Sequence, residues 1–374
     1  MAGARGGPSP PRPPRSGGLR AGVLRPVGRQ RVGRCTPAAV QVLGCGRQEV
    51  LPVWREGYVR GGDTRFYVRA FGSPQWREPV GTGEGVVGGD SEEPGDDLAL
   101  LLHGWPQDGS SWAAVAPRLA AAGYRVVCPD LKGFGRSDTP HAGYDPATLA
   151  DEIAQLIRNL HARKAVLVGH DWGGAIALAT AFRHPGRVQA LVVASSPFRQ
   201  LDLTVSWHVP LFNLPLAPQL AFKLAGRPLT RAAIRYSAVV QTPFDEAAMD
   251  RYADAVTVDP AAWLAYYRTL SRKALMEWGI RKVRRRVRFL TSPREPNRMR
   301  VPAAVIWGEE DRVTPFHLAG RVAHDLDARL VAIPGVGHLV HEEAPEVVSD
   351  AVLDLAGPGP LDPGATRLGS TDAG

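Results

Sequence analysis

Short, largely apolar runs recur along this chain with helix-patterned segments between them, and that alternation restricts the fold more than any other feature. The runs are Leu98–Leu102, Arg125–Cys128, Ala165–Val168, Val188–Ala194, Ala303–Trp307 and Leu330–Ile333. Such runs suit strands buried on both faces. Ser111–Ala122, Ala147–Leu160, Gly173–Phe182, Phe316–Leu326 and Pro345–Ala356 carry the spacing of helices. Strands alternating with helices predict an α/β fold with a mostly parallel central sheet and helices on both faces. An antiparallel pair, Tyr58–Arg60 with Arg65–Ala70, precedes it across the turn Gly61-Gly62-Asp63. Residues 73–97 are Gly- and acid-rich and predict a loop. Residues 197–299 break the alternation with helical, aromatic-containing sequence, which predicts a helical cap inserted between two core strands.

The expected organisation is therefore a tail over 1–50, a core over 51–196 and 300–356, a cap over 197–299 and a flexible C-terminal tail over 357–374. The formal net charge is +8, and the tail carries all of it. Residues 1–50 hold nine arginines (Arg5, Arg12, Arg15, Arg20, Arg25, Arg29, Arg31, Arg34 and Arg47) against one acid, Glu49. The rest of the chain is balanced, so the charge does not point to nucleic acid as a partner. The tail is Pro-, Gly- and Arg-rich, and disorder is expected there. The functional alternatives are a targeting peptide or a basic interaction arm, and a secretory signal is disfavoured because no apolar stretch follows a basic start. No apolar run reaches the ~18–20 residues that span a bilayer. Cys35, Cys45 and Cys128 form neither a metal-ligand spacing nor a disulfide framework, so the default compartment is the reducing cytoplasm. The basic run Arg281-Lys282-Val283-Arg284-Arg285-Arg286 reads as a solvated helix face.

Open α/β sheets place their chemistry at the carboxyl ends of strands. The strand at Ala165–Val168 runs into Gly169-His170-Asp171-Trp172-Gly173-Gly174. Glycines frame one central residue between strand and helix, which is the spacing of a nucleophile elbow. The central residue is Asp171, whose carboxylate can attack carbon and form an ester. Its bland alternative is a helix N-cap. Leu102 leads into His103-Gly104-Trp105-Pro106. The backbone N–H groups of Trp105 and Trp172 can form an oxyanion hole. His103 reads as part of that loop's structure rather than as a base. Gly308-Glu309-Glu310-Asp311 and Gly335-Val336-Gly337-His338 follow the last two strands. The order Asp171, Asp311, His338 is nucleophile, acid, histidine, as in hydrolases of this architecture.

On these motifs the chain resembles α/β-hydrolases of the epoxide hydrolase and haloalkane dehalogenase branch over roughly residues 55–356. Pro129-Asp130-Leu131-Lys132-Gly133-Phe134-Gly135-Arg136-Ser137-Asp138 adds to the match. The resemblance implies Asp171 as nucleophile, His338 as base and Asp311 as its orienting acid, with no metal or organic cofactor. Within the branch, haloalkane dehalogenases typically carry Asn where Trp105 stands. Fluoroacetate dehalogenases carry arginines where Trp172 and Ala175 stand. His-Gly-Trp-Pro and Asp-Trp-Gly-Gly are the epoxide hydrolase forms. Opening an epoxide also needs a proton donor, and the family uses two cap tyrosines. Ala265-Tyr266-Tyr267-Arg268 resembles the segment of the second and places it at Tyr267. Ser206-Trp207-His208 resembles the segment of the first, with His208 where tyrosine is usual.

The expected activity is hydrolysis of a small apolar epoxide by water. The alternatives are a dehalogenase using the same aspartate and a non-catalytic ligand binder. Trp207, Phe212, Phe222, Trp263 and Tyr266 are candidate pocket walls, and each could equally be cap core. Neither substrate identity nor oligomeric state follows from the sequence. Deleting residues 1–48 should leave turnover and folding intact, which an activity assay and a melting curve of the truncated chain will check.

Overall fold

The computed structural model describes residues 55–72, 98–198, 200–202, 205–269, 286–288 and 299–359. The arginine-rich segment, the predicted loop at 73–97, nearly all of the basic run at 281–286 and the chain from 360 onward lie outside them.

Eight strands form one sheet in the order β1-β2-β4-β3-β5-β6-β9-β10. They are β1 (Arg55–Gly61), β2 (Thr64–Phe71), β3 (Leu98–Leu102), β4 (Arg125–Pro129), β5 (Ala165–His170), β6 (Val188–Ala194), β9 (Ala303–Gly308) and β10 (Arg329–Ile333). β1 and β2 pair antiparallel around Gly62, whose φ of +63° the tight turn requires. β2 also runs antiparallel to β4, and every later pairing in the sheet is parallel. The chain leaves β3 toward β4 on one side, then crosses to β5 on the other. That reversal sets the loop after β3 beside the end of β5, at the crevice where such sheets bind ligands.

Strand alternation divides the core into two layers. Leu98, Leu100, Leu102, Leu167, Leu191, Val193, Val305 and Trp307 pack on one face against α2 (Pro146–Asn159), α3 (Trp172–Arg183) and α8 (Ala319–Leu326). Ala99, Leu101, Val166, Val168, Val192 and Ile306 pack on the other against α1 (Ala116–Ala121) and α10 (Pro345–Ala356). Both faces are covered, so the central strands read as apolar runs rather than as alternating ones.

The predicted helix over Ser111–Ala122 is broken. Pro117 would sit in its interior without an N–H for the Ala113 carbonyl. The chain instead makes a 3-10 turn, Gly109–Trp112, and restarts as α1 with Pro117 in the first turn. The first turn of Phe316–Leu326 is likewise 3-10, over Phe316–Leu318. A four-residue helix, α9 (Val340–Glu343), is too short to show any periodicity in the sequence.

The insertion between β6 and β9 is helical: α4 (His208–Phe212), α5 (Ala217–Ser237), α6 (Glu246–Thr257) and α7 (260–269). Pro228 lies inside α5, and Ala225 leaves helical geometry one turn before it, so α5 bends there. Two short strands, β7 (Gln200–Asp202) and β8 (Arg286–Arg288), pair antiparallel near the two ends of the insertion.

Arg69 on β2 fixes the loops after β3 and β4. It contacts Asp108 at 3.2 Å and also pairs with Asp130. Asp130 accepts the Gly109 and Arg136 N–H groups at 2.9 Å each. Burial disfavours the guanidinium charge, and the two carboxylates outweigh it. Arg69→Met removes the cation and leaves both acids buried, so stability should fall by about 3–5 kcal/mol. A urea unfolding midpoint measures this.

Candidate active site

β5 ends at His170, and the chain turns at once into α3. Asp171 makes the turn with φ +48° and ψ −118°, backbone strain for a residue with a side chain. Neighbouring backbone holds it there. Asp171 N–H donates to the Ala194 carbonyl at 3.2 Å, and Ser196 Oγ donates to the Asp171 carbonyl at 2.7 Å. A Cβ at Gly104 would come within 2.5 Å of the Asp171 Cβ, so only glycine lets the β3 loop approach.

The Asp171 carboxylate makes no ordinary cap to α3. Oδ2 accepts the Trp105 N–H at 3.1 Å, and the carboxylate also accepts from the Trp172 N–H. Burial pushes the acid up from 3.8 to about 6, against the opposing pull of His338 and of those two N–H groups. Backbone donors thus hold the carboxylate, and the group stays ionised above about pH 6.

Asp311 and His338 meet beside it. His338 Nδ1 lies 2.8 Å from Asp311 Oδ2, and both residues are buried. Asp311 Oδ1 accepts the Val313 and Thr314 N–H groups at 2.8 Å each, and Thr314 Oγ1 donates to Oδ2 at 2.7 Å. A carboxylate so saturated accepts rather than donates toward the ring. The proton therefore sits on Nδ1, and Nε2 keeps a lone pair. Nε2 is buried with no hydrogen-bond partner. Burial works against the imidazolium, yet Asp311, with Asp171 and Glu343, outweighs it and raises the His338 pKa.

A small recess adjoins these groups. Asp171, Trp172, His208, Tyr267, Val313 and Thr314 line it, with Ala175, Pro197, Ser206 and Val209. His208 and Tyr267 come from the insertion, their rings 5.9 Å apart. Burial and the nearby Asp171 hold the Tyr267 phenol well above its ordinary pKa, so it keeps its proton. Burial lowers His208 to about 4, which leaves it neutral at neutral pH.

The structure thus brings together Asp171, Asp311, His338, Tyr267, His208 and the Trp105 and Trp172 amides. The aromatic pocket walls fare otherwise. Trp207 is 58% exposed, because α4 turns it outward while His208 turns in. Trp263 is fully buried and donates its indole N–H to the Val256 carbonyl at 2.9 Å. Tyr266 spends its hydroxyl on the Lys132 carbonyl at 2.8 Å. Phe212 packs behind Tyr267 against Trp105, Phe222 and Trp263. All four leave the recess lining, and the last three are core of the insertion. His103 accepts the Leu131 N–H on Nε2 at 2.8 Å and faces its neighbour's carbonyl with Nδ1 at 2.9 Å, a structural role. Thr314 went unforeseen; its only sequence signal is its place three residues after Asp311.

The α/β-hydrolase fold family matches residues 99–345 of the chain. The chain belongs to that family. An AB hydrolase superfamily protein, YfhM of Bacillus subtilis (strain 168), is 30% identical over 274 residues, covering 69% of this chain and 89% of that protein. Epoxide hydrolase 3 of Xenopus tropicalis is 30% identical over 290 residues, covering 72% and 73%. The crystal structure of an epoxide hydrolase from Vigna radiata has the same fold, with a TM-score of 0.62 at 22% identity over 83% of this chain and 98% of that one. Named epoxide hydrolases among these relatives agree with the branch that the motifs indicate. Among the described residues of this hydrolase, no three His, Cys, Asp or Glu side chains group to hold a metal, and no helix is long and apolar enough to cross a membrane.

Only the ionised form of a carboxylate such as Asp171 can attack an electrophile. Its reaction with a neutral electrophile should therefore fall as pH drops through about 6, rather than through the ordinary 3.8. The rate of mass gain on the Asp171 peptide across pH 4–8 will show where the midpoint lies.

Proposed function

We propose that this hydrolase opens epoxides to vicinal diols through an ester on Asp171. The observation that carries the reading is the pairing, across one recess, of a backbone-held carboxylate with a protonated phenol. An epoxide needs both at once: a nucleophile for carbon and an acid for the leaving oxygen. Displacing a halide needs no such acid.

In the first step the free oxygen of Asp171 attacks an epoxide carbon, and that carbon's bond to the ring oxygen breaks. The ring oxygen takes the Tyr267 proton, and an alcohol forms beside a new ester. His208, neutral at working pH, supplies a second N–H to the same oxygen. In the second step His338 Nε2 removes a proton from water, and the resulting hydroxide attacks the Asp171 ester carbonyl. The Trp105 and Trp172 N–H groups, which already donate to the Asp171 carboxylate, stabilise the oxyanion. The ester's alkoxide leaves as the second hydroxyl of the diol. The His338 proton passes to that oxygen, and the proton left on the regenerated Asp171 carboxyl returns through solvent to the Tyr267 phenolate. Asp311 holds the ring and stabilises the imidazolium between these events.

Two substitutions test the scheme. His338→Gln should complete the first step and stall in the second, so an epoxide adds its own mass to the Asp171 peptide. Tyr267→Phe should slow ester formation by ~10²–10³-fold, the usual worth of a positioned acid. Release of halide from an organohalide panel, with epoxides inert, would instead favour a dehalogenase.

A further inference from the structure

His338 is the base of the proposed second step, and its loop is not held by the sheet alone. Glu343, at the end of α9, accepts four backbone N–H groups. Its Oε2 takes Gly337 at 3.0 Å and both Val239 and Val240 at 2.8 Å, and its Oε1 takes Leu339 at 3.1 Å. Gly337 and Leu339 flank His338. Val239 and Val240 belong to the insertion, in the segment that leaves α5. One buried carboxylate thus grips the residues on both sides of the base and ties them to the cap, about a hundred positions away in sequence.

The rest of this seam agrees. The His338 N–H donates to the Ser237 carbonyl at 2.9 Å. A Cβ at Gly337 would lie 2.5 Å from that same carbonyl, so only glycine fits the junction. Leu339 is fully buried in an apolar cluster of the insertion with Ile234, Phe244, Met249 and Tyr252. Asp171 shares none of these ties, since the β3 loop and α3 hold its carboxylate.

We infer that Glu343 is a positioning residue that fixes the His338 loop against the segment leaving α5, so that its loss slows the second step, which uses His338, far more than the first, which uses Asp171 and Tyr267. A charged carboxylate suits the role because two oxygens can take four N–H groups, and bonds to a charged acceptor are the stronger kind. A glutamine offers one acceptor oxygen and turns an NH₂ toward N–H donors.

This inference rests on the epoxide reading, and the test separates the two. Wild-type and Glu343→Gln protein react with excess styrene oxide under rapid quench, and intact-protein mass reports the ester over time. The expected result is an ester-forming rate within about twofold of wild type, ester hydrolysis at least tenfold slower, and ester accumulating at steady state. Equal slowing of both steps, or no slowing of the second, would overturn the inference. Glu343→Asp, which keeps the charge but shortens the reach, guards against a variant that does not fold. It should show the same split, and if neither variant forms ester the residue is structural only. Failure of His338→Gln to trap ester would instead remove the epoxide reading itself.

Discussion

An added Cβ at Gly173 would stand 2.2 Å from the Leu102 carbonyl oxygen, and one at Gly169 would stand 2.4 Å from that of Gly173. β3, β5 and α3 approach so closely that only bare backbone fits between them. This crowding leaves the chain one route out of β5, a left-handed turn at Asp171. The turn lifts a single side chain over the sheet's carboxyl edge. The same proximity puts Trp105 N–H within reach of that side chain. The position of the Asp171 carboxylate and its backbone donors are thus consequences of one packing constraint, and the strain at Asp171 is held by its neighbours.

Electrostatics then assigns roles to chemically similar groups. Asp311 is saturated by two N–H groups and a hydroxyl, so it can only receive from His338. Asp171 has fewer donors and an open side, and burial holds it near pKa 6. The two aspartates thus differ in the number of donors that hold them and in their access to the recess. Tyr267, buried, and His208, half-buried, are both neutral, by opposite shifts: the phenol keeps its proton, and the imidazole declines one. A neutral, partly apolar recess facing an ionisable acid suits an uncharged substrate with a basic oxygen.

The sheet was legible because strands buried on both faces leave unbroken apolar runs, and because glycines mark the crowded elbow. The convergence of Asp171, Asp311 and His338 was legible for a further reason: each follows a strand, and strand ends converge in such a fold. Tyr267 and His208 rested on local resemblance. The pocket walls were not legible. Trp263 and Phe212 have the composition of a substrate pocket and the packing of a core, and only three-dimensional placement tells those apart. Trp207 differs from His208 by one position on α4, which reverses its face. Glu343 was out of reach, since its partners at 239 and 240 are far away in sequence and are backbone groups that bear no side-chain signature.

The central claim is that carbon becomes bonded to Asp171 and that water attacks the resulting ester. A single turnover of an epoxide in oxygen-18 water, with enzyme in excess, tests it directly. The account predicts label in the Asp171 carboxylate and none in the first-turnover diol. Label in that diol with Asp171 unlabelled would mean that water attacks the epoxide itself, and would contradict it.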